Sequence, residues 1–330
     1  MKRLFSIFFA TMLAGQAWAQ KNFDFSAECN SGQILYFKIT SDTTVAVTYP
    51  QNRQYSSEIY YDGYIEPSGD VSIPETVTYN ETTYSVTSIS DAAFKCCENI
   101  TSIIIPNSIK SIGHLAFYDS GLTSVTIGNG ITSIGYESFR GCYNLTSITI
   151  PESVTSIDNY AFECNNLKTI IIPHSVSSIG YDAFYYCKNI DTLIYNTDAI
   201  GAAFSKKTSL KTVIIGDSVT SVSSEAFRDC SSLTSINIPN SVKSIGNKAF
   251  FRCYGLTKVE YASISGLCGI NFYSEDSNPL YYAHHLYVNG EEITDLVIPD
   301  SITTIGYSAF AGCKFLKSVT IPESVTKIEG

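Results

Sequence analysis

The sequence predicts a repeat solenoid that is mainly β, with stacked parallel strands, short helical turns and a small N-terminal β cap. Two markers that share one period support this prediction, because an internal period of 20 to 50 residues is typical of solenoids. One marker is an Ile-Pro or Ile-Gly pair that keeps the period from Ile105 to Ile321. The other is a phenylalanine that recurs mostly every 22 or 23 residues, at Phe94, Phe117, Phe139, Phe162, Phe184, Phe204, Phe227 and Phe250, then at Phe310 after a gap.

The residue pattern within each unit predicts two short strands and one turn. In the unit that begins at Leu145, residues 147–150 alternate polar with β-branched apolar residues, which is the pattern of a half-buried strand. Pro151 ends this strand, since proline cannot donate to a β-ladder. A second extended segment follows at 153–157. The segment that carries the phenylalanine, such as 181–187, has the alanine and aromatic content of a single helical turn.

No unit of this length buries its own apolar side chains, so we expect the units to stack. Stacking places each Leu, Ile and Phe on its counterpart in the next unit, with parallel strands about 4.8 Å apart. Each large apolar side chain that becomes fully buried contributes about 1.5–3 kcal/mol, which offsets the entropy lost when a unit is ordered.

The period also predicts the domain organisation. Residues 20–85 lack it and alternate like strands, which is typical of a β cap over the first unit. Residues 86–253 hold the repeats, and the unit that ends at Phe204 lacks both the proline and the cysteine. Residues 254–292 predict an irregular island with a hairpin at Asn289-Gly290, because Asn-Gly favours a type I′ turn. Residues 293–330 hold the final repeats, of which the last is incomplete.

The recurring pattern Leu-Thr-Ser-Ile-Thr-Ile-Pro-x-Ser-Val-x-Ser-Ile, followed by Ala-Phe-x-x-Cys, resembles the BspA-like, treponemal-type leucine-rich repeats of bacterial surface proteins. The resemblance covers about 86–328. It implies a curved leucine-rich-repeat solenoid that is exported and acts by binding, as an adhesin for host matrix proteins or for other microbes. It brings no catalytic residues.

Residues 1–19 predict a secretory signal peptide. Lys2 and Arg3 precede an apolar run over 4–15, and Ala17-Trp18-Ala19 has the small-x-small form of a cleavage site. The apolar run is too short to cross a bilayer. We therefore expect an exported chain that begins near Gln20, has no membrane span, and is secreted, held at the outer surface or kept in the periplasm.

Charge argues against nucleic acid as a partner. Without the predicted signal peptide, which holds two of the 21 basic residues, 19 basic residues face 31 acidic ones. Such an acidic chain repels phosphate backbones and anionic membranes.

The ten cysteines first suggest disulfides, as in many exported proteins. Seven of them recur at one repeat position, however, and we interpret these as small buried residues that stay reduced. Neighbouring units also bring two such sulfurs within bonding range, so pairing remains the alternative. The seven are Cys97, Cys142, Cys164, Cys187, Cys230, Cys253 and Cys313.

Chemical motifs are not found, and we predict no enzyme, cofactor or metal site. His114 and His174 occupy variable repeat positions, which favours surface residues. The adjacent pair His284 and His285 points to opposite faces if it lies on a strand. Phosphate-binding loops, nucleophile elbows and calcium-type runs are lacking.

Binding is predicted on the outward side of the first strand. One outward position holds three isoleucines in consecutive units, Ile171, Ile194 and Ile214, which form a candidate contact patch. Hydroxyl side chains surround them at Thr149, Thr169, Thr192 and Thr212. The alternative is that β-branched residues simply suit strands.

Tyrosines supply a second candidate surface. Tyr136 and Tyr181 follow the glycine of their units, and exposed tyrosines contact proteins or stack on sugars. The alternative is packing beside the phenylalanine column.

The leading hypothesis is a non-enzymatic, secreted or cell-surface binding protein that adheres to host or microbial proteins through the repeat face. The alternative is a carbohydrate-binding protein of a glycan-scavenging system.

Overall fold

The computed structural model describes residues 20–52, 61, 63–180 and 182–329. The predicted signal peptide (1–19) and the candidate contact Tyr181 lie outside these residues. Within them the chain is a β-solenoid of stacked parallel strands, and the predicted fold class is confirmed. Each regular unit contributes a first strand, a second strand and a turn that carries its phenylalanine, here called the Phe turn.

The first strands of successive units pair in parallel, residue on equivalent residue. Thr192, for example, pairs with Thr169 before it and with Thr212 after it. Alternate residues, such as Ile170 and Ile172, point inward and are buried. One ladder holds Gly69–Ser72, Ile100–Ile105, Ser124–Ile127 and Ser147–Ile148; the next holds Thr169–Ile172, Thr192–Tyr195, Thr212–Ile215, Ser235–Ile238, Lys258–Tyr261, Leu286–Val288 and Glu291–Glu292; the last holds Asp295–Val297 and Ser318–Thr320.

The second strands form their own ladders, and the N-terminal strands join the first of these. Thr82–Ile89 pairs in parallel with both Thr44–Thr48 and Ser111–Ile112, so the N-terminal strands continue the stack of units. The ladders hold Phe25–Glu28, Ile34–Ile39, Thr44–Thr48, Thr76–Tyr79, Thr82–Ile89, Ser111–Ile112, Ser133–Ile134, Ser156–Ile157 and Ser178–Ile179; then Ala199–Ile200, Ser221–Val222, Ser244–Ile245 and Asn271–Phe272; then Thr304–Ile305 and Lys327–Ile328. Gln20–Lys21 pairs separately with Gln51–Asn52.

The Phe turns stack their rings into a column. Neighbouring rings from Phe94 to Phe204 lie parallel, with centroids 5.1–5.6 Å apart. The backbone of each turn also bonds to the next unit: the Phe139 N–H donates to the Ala161 carbonyl at 2.8 Å, and the Phe162 N–H donates to the Ala183 carbonyl at 2.9 Å. This pairing is strand-like at Phe139–Arg140 and Phe162–Glu163. The stacked phenylalanines that the sequence predicts are therefore confirmed.

Backbone conformation explains why most Phe turns are not helical. Most turns pass twice through the left-handed region, as at Glu137 (φ 54°) and Gly141 (φ 79°) in one unit. Two such residues interrupt a right-handed helix. In the described residues, a Phe turn forms a helix only at Ala202–Phe204, a 3₁₀ segment in the shortened unit. The glycine before the turn has a packing role, since a Cβ on Gly180 would lie 2.5 Å from the Asn159 backbone nitrogen.

Residues 262–292 depart from the two-strand unit. Here lie the α-helix Ile264–Cys268, the 3₁₀ segment Glu275–Ser277, the α-helix Leu280–Ala283 and a hairpin that turns at Asn289 and Gly290, both with positive φ. Asn278 joins this region to the final units. Its buried side-chain amide donates to the carbonyls of Ser308 and Ala309, both at 2.9 Å, and accepts from the Tyr261 hydroxyl at 3.1 Å.

Candidate functional site

The outward side of the first strands, here called the first-strand face, brings the three predicted isoleucines together. Ile171 pairs with Ile194 and Ile194 with Ile214, so the three lie side by side on consecutive strands. Ile171 is 44% exposed, Ile214 is 43% exposed, and Ile194 between them is half-buried. An apolar stripe of three β-branched side chains therefore faces solvent on a rigid sheet.

A row of hydroxyls lies beside the isoleucines. Thr169, Thr192 and Thr212 pair in register, and the row continues to Ser235, whose Oγ donates to Thr212 Oγ1 at 3.5 Å. Thr149 is also exposed, but the strand of its unit, Ser147–Ile148, belongs to the preceding ladder of first strands, which begins with Gly69–Ser72. The structure thus joins three of the four predicted threonines to the isoleucine stripe and places Thr149 beyond a break in the hydrogen-bonded sheet.

A shallow depression lies at one end of the stripe. Thr212, Ile214, Ser235, Asn237, Lys258 and Glu260 line it. Asn237 creates it, because its side-chain amide accepts from the Ile215 N–H at 2.8 Å and donates to the Ile215 carbonyl at 2.9 Å. Those backbone groups therefore bond to a side chain instead of the next strand, and the pairing ends at Val213 and Ile236.

An ion pair between Lys258 and Glu260 forms part of the lining of the depression. Lys258 Nζ lies 2.8 Å from Glu260 Oε2, and this contact lowers the pKa of the Glu260 carboxyl below its ordinary value. Glu260 also accepts a hydrogen bond from the Gly290 N–H in the hairpin. The first-strand face thus changes along the coil from apolar and hydroxyl-bearing to charged.

Tyr136 lies elsewhere, along the Phe turns, where it begins a row of tyrosines. Its ring contacts Tyr160 at 6.0 Å, Tyr160 contacts Tyr186 at 6.2 Å, and Tyr186 contacts Tyr185 at 4.9 Å, all measured between centroids. Tyr136 and Tyr185 are exposed. These four residues are called the Tyr row below. The predicted contacts therefore fall on two separate surfaces.

Arg140 anchors the Tyr row. Its guanidinium bonds to Glu163 at 2.9 Å and to Glu137 at 2.8 Å, and it lies 5.4 Å from the centroid of the Tyr186 ring. The bond to Glu163, ahead of the bond to Glu137, raises the pKa of Arg140 further above its ordinary value. A guanidinium held by two carboxylates and an aromatic ring fixes the row in place.

Sequence reasoning did not single out three features of these surfaces: the depression at Asn237, the row member Tyr160 and the anchor Arg140. A departure from β-branched and hydroxyl residues at the outward positions marks Asn237, Lys258 and Glu260, and was available in the sequence. Tyr160 and Tyr186 occupy different repeat positions, so the period does not predict that they join one row.

In the parts of the chain that the structure describes, no three His, Cys, Asp or Glu side chains cluster as metal ligands would. A helix of the length and apolar character needed to cross a membrane is likewise lacking among these residues.

The fold and its faces define a leucine-rich-repeat solenoid. A model of the BspA type leucine rich repeat region matches residues 87–202, 198–278 and 283–330, in six copies. Since these matches cover most of the sequence, the chain belongs to the BspA-type leucine-rich-repeat family. Membership suggests a protein-binding role, at the surface or after export, and members are generally non-enzymatic. Comparison with curated proteins gives no match.

Three solved structures similar to this chain come from bacteria. A leucine-rich repeat protein from Bacteroides ovatus is 27% identical, with 90% of this chain and 89% of that chain covered and a TM-score of 0.42. A leucine rich cell surface protein from Faecalibacterium prausnitzii is 20% identical, with 94% and 96% covered and a TM-score of 0.30. The leucine rich repeat protein of T. pallidum is 22% identical, with 68% and 78% covered and a TM-score of 0.33.

Proposed function

We propose that this chain is an exported, non-enzymatic adhesion protein that holds a protein partner on its first-strand face. The supporting observation is the exposed stripe of Ile171, Ile194 and Ile214 on three paired strands. Apolar side chains fixed on a sheet lose little entropy when a partner covers them, so the area they bury counts toward affinity.

The surroundings of the stripe favour a protein over other ligands. The hydroxyl row of Thr169, Thr192 and Thr212 supplies donors and acceptors beside an apolar centre, which is the usual anatomy of a protein interface. The depression with Lys258 and Glu260 adds paired charges at one end. We propose as partners the extracellular matrix proteins of a host or surface proteins of another microbe. Export through the predicted signal peptide is part of this proposal.

A triple substitution tests the stripe. Ile171, Ile194 and Ile214 are changed together to threonine, which the chain itself carries at the equivalent positions Thr126 and Thr149. Binding to a panel of purified matrix proteins is measured by surface plasmon resonance. Loss of the three isoleucine side chains should raise the dissociation constant at least tenfold, since each buried isoleucine contributes about 1.5–3 kcal/mol. Circular dichroism should show an unchanged fold.

The matched control changes Tyr136, Tyr143 and Tyr185 to serine. All three are exposed and lie in Phe turns, away from the first-strand face. This variant should bind the matrix protein like the wild type. Equal affinity of the isoleucine variant and the wild type would refute the role of the stripe.

The Tyr row favours carbohydrate binding as a second candidate function, because exposed aromatic faces with hydroxyls at their edges suit sugar rings. The same two variants on a glycan array separate the candidates. Glycan signals that the serine variant loses and the isoleucine variant keeps would support the second function.

A further inference from the structure

The column of cysteines is regular except at two neighbouring units. In most units the cysteine lies three residues after the phenylalanine, and its N–H donates to that phenylalanine's carbonyl, as Cys187 does to Phe184 at 3.0 Å. Cys164 lies only two residues after Phe162. The missing residue removes this turn, and the Cys164 N–H points instead at Cys187 Sγ, 3.5 Å away.

The sulfur of Cys187 therefore accepts a hydrogen bond from the backbone of the cysteine in the preceding unit. Besides the Cys164 N–H, the Cys164 thiol lies in hydrogen-bonding contact with it. As elsewhere in the column, each thiol also donates to the phenylalanine carbonyl of the preceding unit: Cys164 donates to Phe139 and Cys187 to Phe162, both at 3.5 Å, as Cys253 does to Phe227 at 3.1 Å.

A buried ammonium group completes the environment. Lys207 occupies the cysteine position in the unit after Cys187, and it donates to the backbone carbonyls of Phe184 and Tyr185. Burial lowers the pKa of Lys207. Burial also raises the pKa of the Cys187 thiol, but the bonds from Cys164 and the nearby charge of Lys207 outweigh burial, so its pKa lies below the ordinary value. The pKa of Cys230, by contrast, is raised by burial to about 12.

We propose that Cys164 and Cys187 form a redox-active dithiol that small disulfides convert to an intramolecular disulfide, while the other column cysteines stay reduced. The geometry supports this pairing because the two residues lie in adjacent units with their side chains in contact. The thiolate is the nucleophile in such exchange, and hydrogen bonds with a nearby cation favour it.

The chemistry needs one external oxidant, a low-molecular-weight disulfide. The Cys187 thiolate attacks one of its sulfurs, the disulfide bond breaks, and the first small thiolate leaves and takes up a proton. The Cys164 thiol then loses its proton and attacks the Cys187 sulfur, which expels the second small thiol. The two cysteines lose two electrons and two protons, and the small disulfide gains them as two thiols. Both cysteines are buried, so we expect exchange to require local opening of the stack.

Peptide mapping tests the proposal. The reduced full-length protein is incubated with oxidised glutathione, remaining thiols are alkylated in denaturant, and the chain is cut with trypsin and a glutamate-specific protease. Cleavage after Glu152 and Glu163 separates Cys142 from Cys164. The expected first product is peptide 164–168 linked to peptide 169–188, with Cys230 and Cys253 alkylated. Unchanged thiols, or equal linkage of other pairs, would overturn the proposal.

Three variants distinguish the proposed dithiol from a chance pair. Cys164→Ser should trap a stable glutathione adduct on Cys187, and serine suits the column because Ser120 occupies it in another unit. Lys207→Met should slow disulfide formation about tenfold, because it removes the positive charge that favours the Cys187 thiolate. Cys230→Ser should leave the linked product unchanged. If Cys164→Ser fails to fold, the wild-type map alone decides.

Discussion

Interior units and the last unit carry the same residues at the same repeat positions, yet bury them differently. Ile157 in an interior unit is 1% exposed, whereas its counterpart Ile328 is 60% exposed. Ile150 and its counterpart Ile321 differ in the same way, at 5% and 47%. The sequence of a unit therefore does not by itself determine whether these side chains are buried. The neighbouring unit on each side does so, as expected for a solenoid whose stability is a sum over junctions.

The comparison extends to the phenylalanine column. Phe162 has parallel rings on both sides, with centroids 5.6 Å from Phe139 and 5.1 Å from Phe184. Phe310, the repeat phenylalanine nearest the C-terminal end of the described chain, is only half-buried. Substitutions should thus cost most where both junctions exist, and three predictions measure that difference.

High pH should produce the largest effect, because it acts together on several buried thiols whose pKa burial raises. Burial raises the pKa of Cys142 and of Cys230 from 9.0 to about 12. Unfolded thiols release protons near pH 9, while the folded ones hold them until about pH 12, so their stabilisation is complete below pH 9 and is lost between pH 9 and 12. Urea unfolding at successive pH values should show this fall.

A single thiol accounts for part of that slope. Above pH 9 the free energy of unfolding should fall less steeply for Cys230→Ser than for the wild type. Buried tyrosines such as Tyr261, whose pKa is raised by burial, should contribute equally to the fall in both proteins. Equal slopes for the two proteins would contradict the assignment to the thiols.

Loss of an interior ring should be the next largest effect. Phe162→Ala removes a fully buried side chain from between two rings and should lower the free energy of unfolding by about 3–5 kcal/mol. Phe310→Ala should cost less than half as much, since its ring is already half-exposed. Phe162→Leu, which keeps most of the volume, should cost about 1.5 kcal/mol or less. Similar losses for the two alanine variants would show that burial does not set the cost.

Much of this architecture was predictable because periodic positions experience one repeated environment. The period of Phe139 and Phe162 predicts the ring column, and alternation in 147–150 predicts which side chains point inward. Parallel strand register follows from the same period, and Ser124 does pair with Ser147. Local pattern and global packing agree at these positions, so sequence reasoning succeeds.

The surfaces and the buried pair of Cys164 and Cys187 were less predictable, because they depend on departures from the period. Cys164 differs from its counterparts by a single missing residue, and only coordinates show that its N–H then points to Cys187. Asn237 looks like an ordinary polar substitution, yet its amide takes over the hydrogen bonds of Ile215. The sequence shows that Asn237 departs from the repeat pattern, but not that its side chain replaces a backbone partner.

The smallest expected effect gives the closest control for the comparison, since the substitution and the repeat position are identical. Ile157→Ala should cost about 2–5 kcal/mol, because it leaves a cavity between two units. Ile328→Ala should cost less than about 1 kcal/mol, because most of that side chain is already in water. Urea unfolding of the two variants measures both values. A large loss at Ile328 would mean that another surface covers it in solution, and that the last unit has two junctions after all.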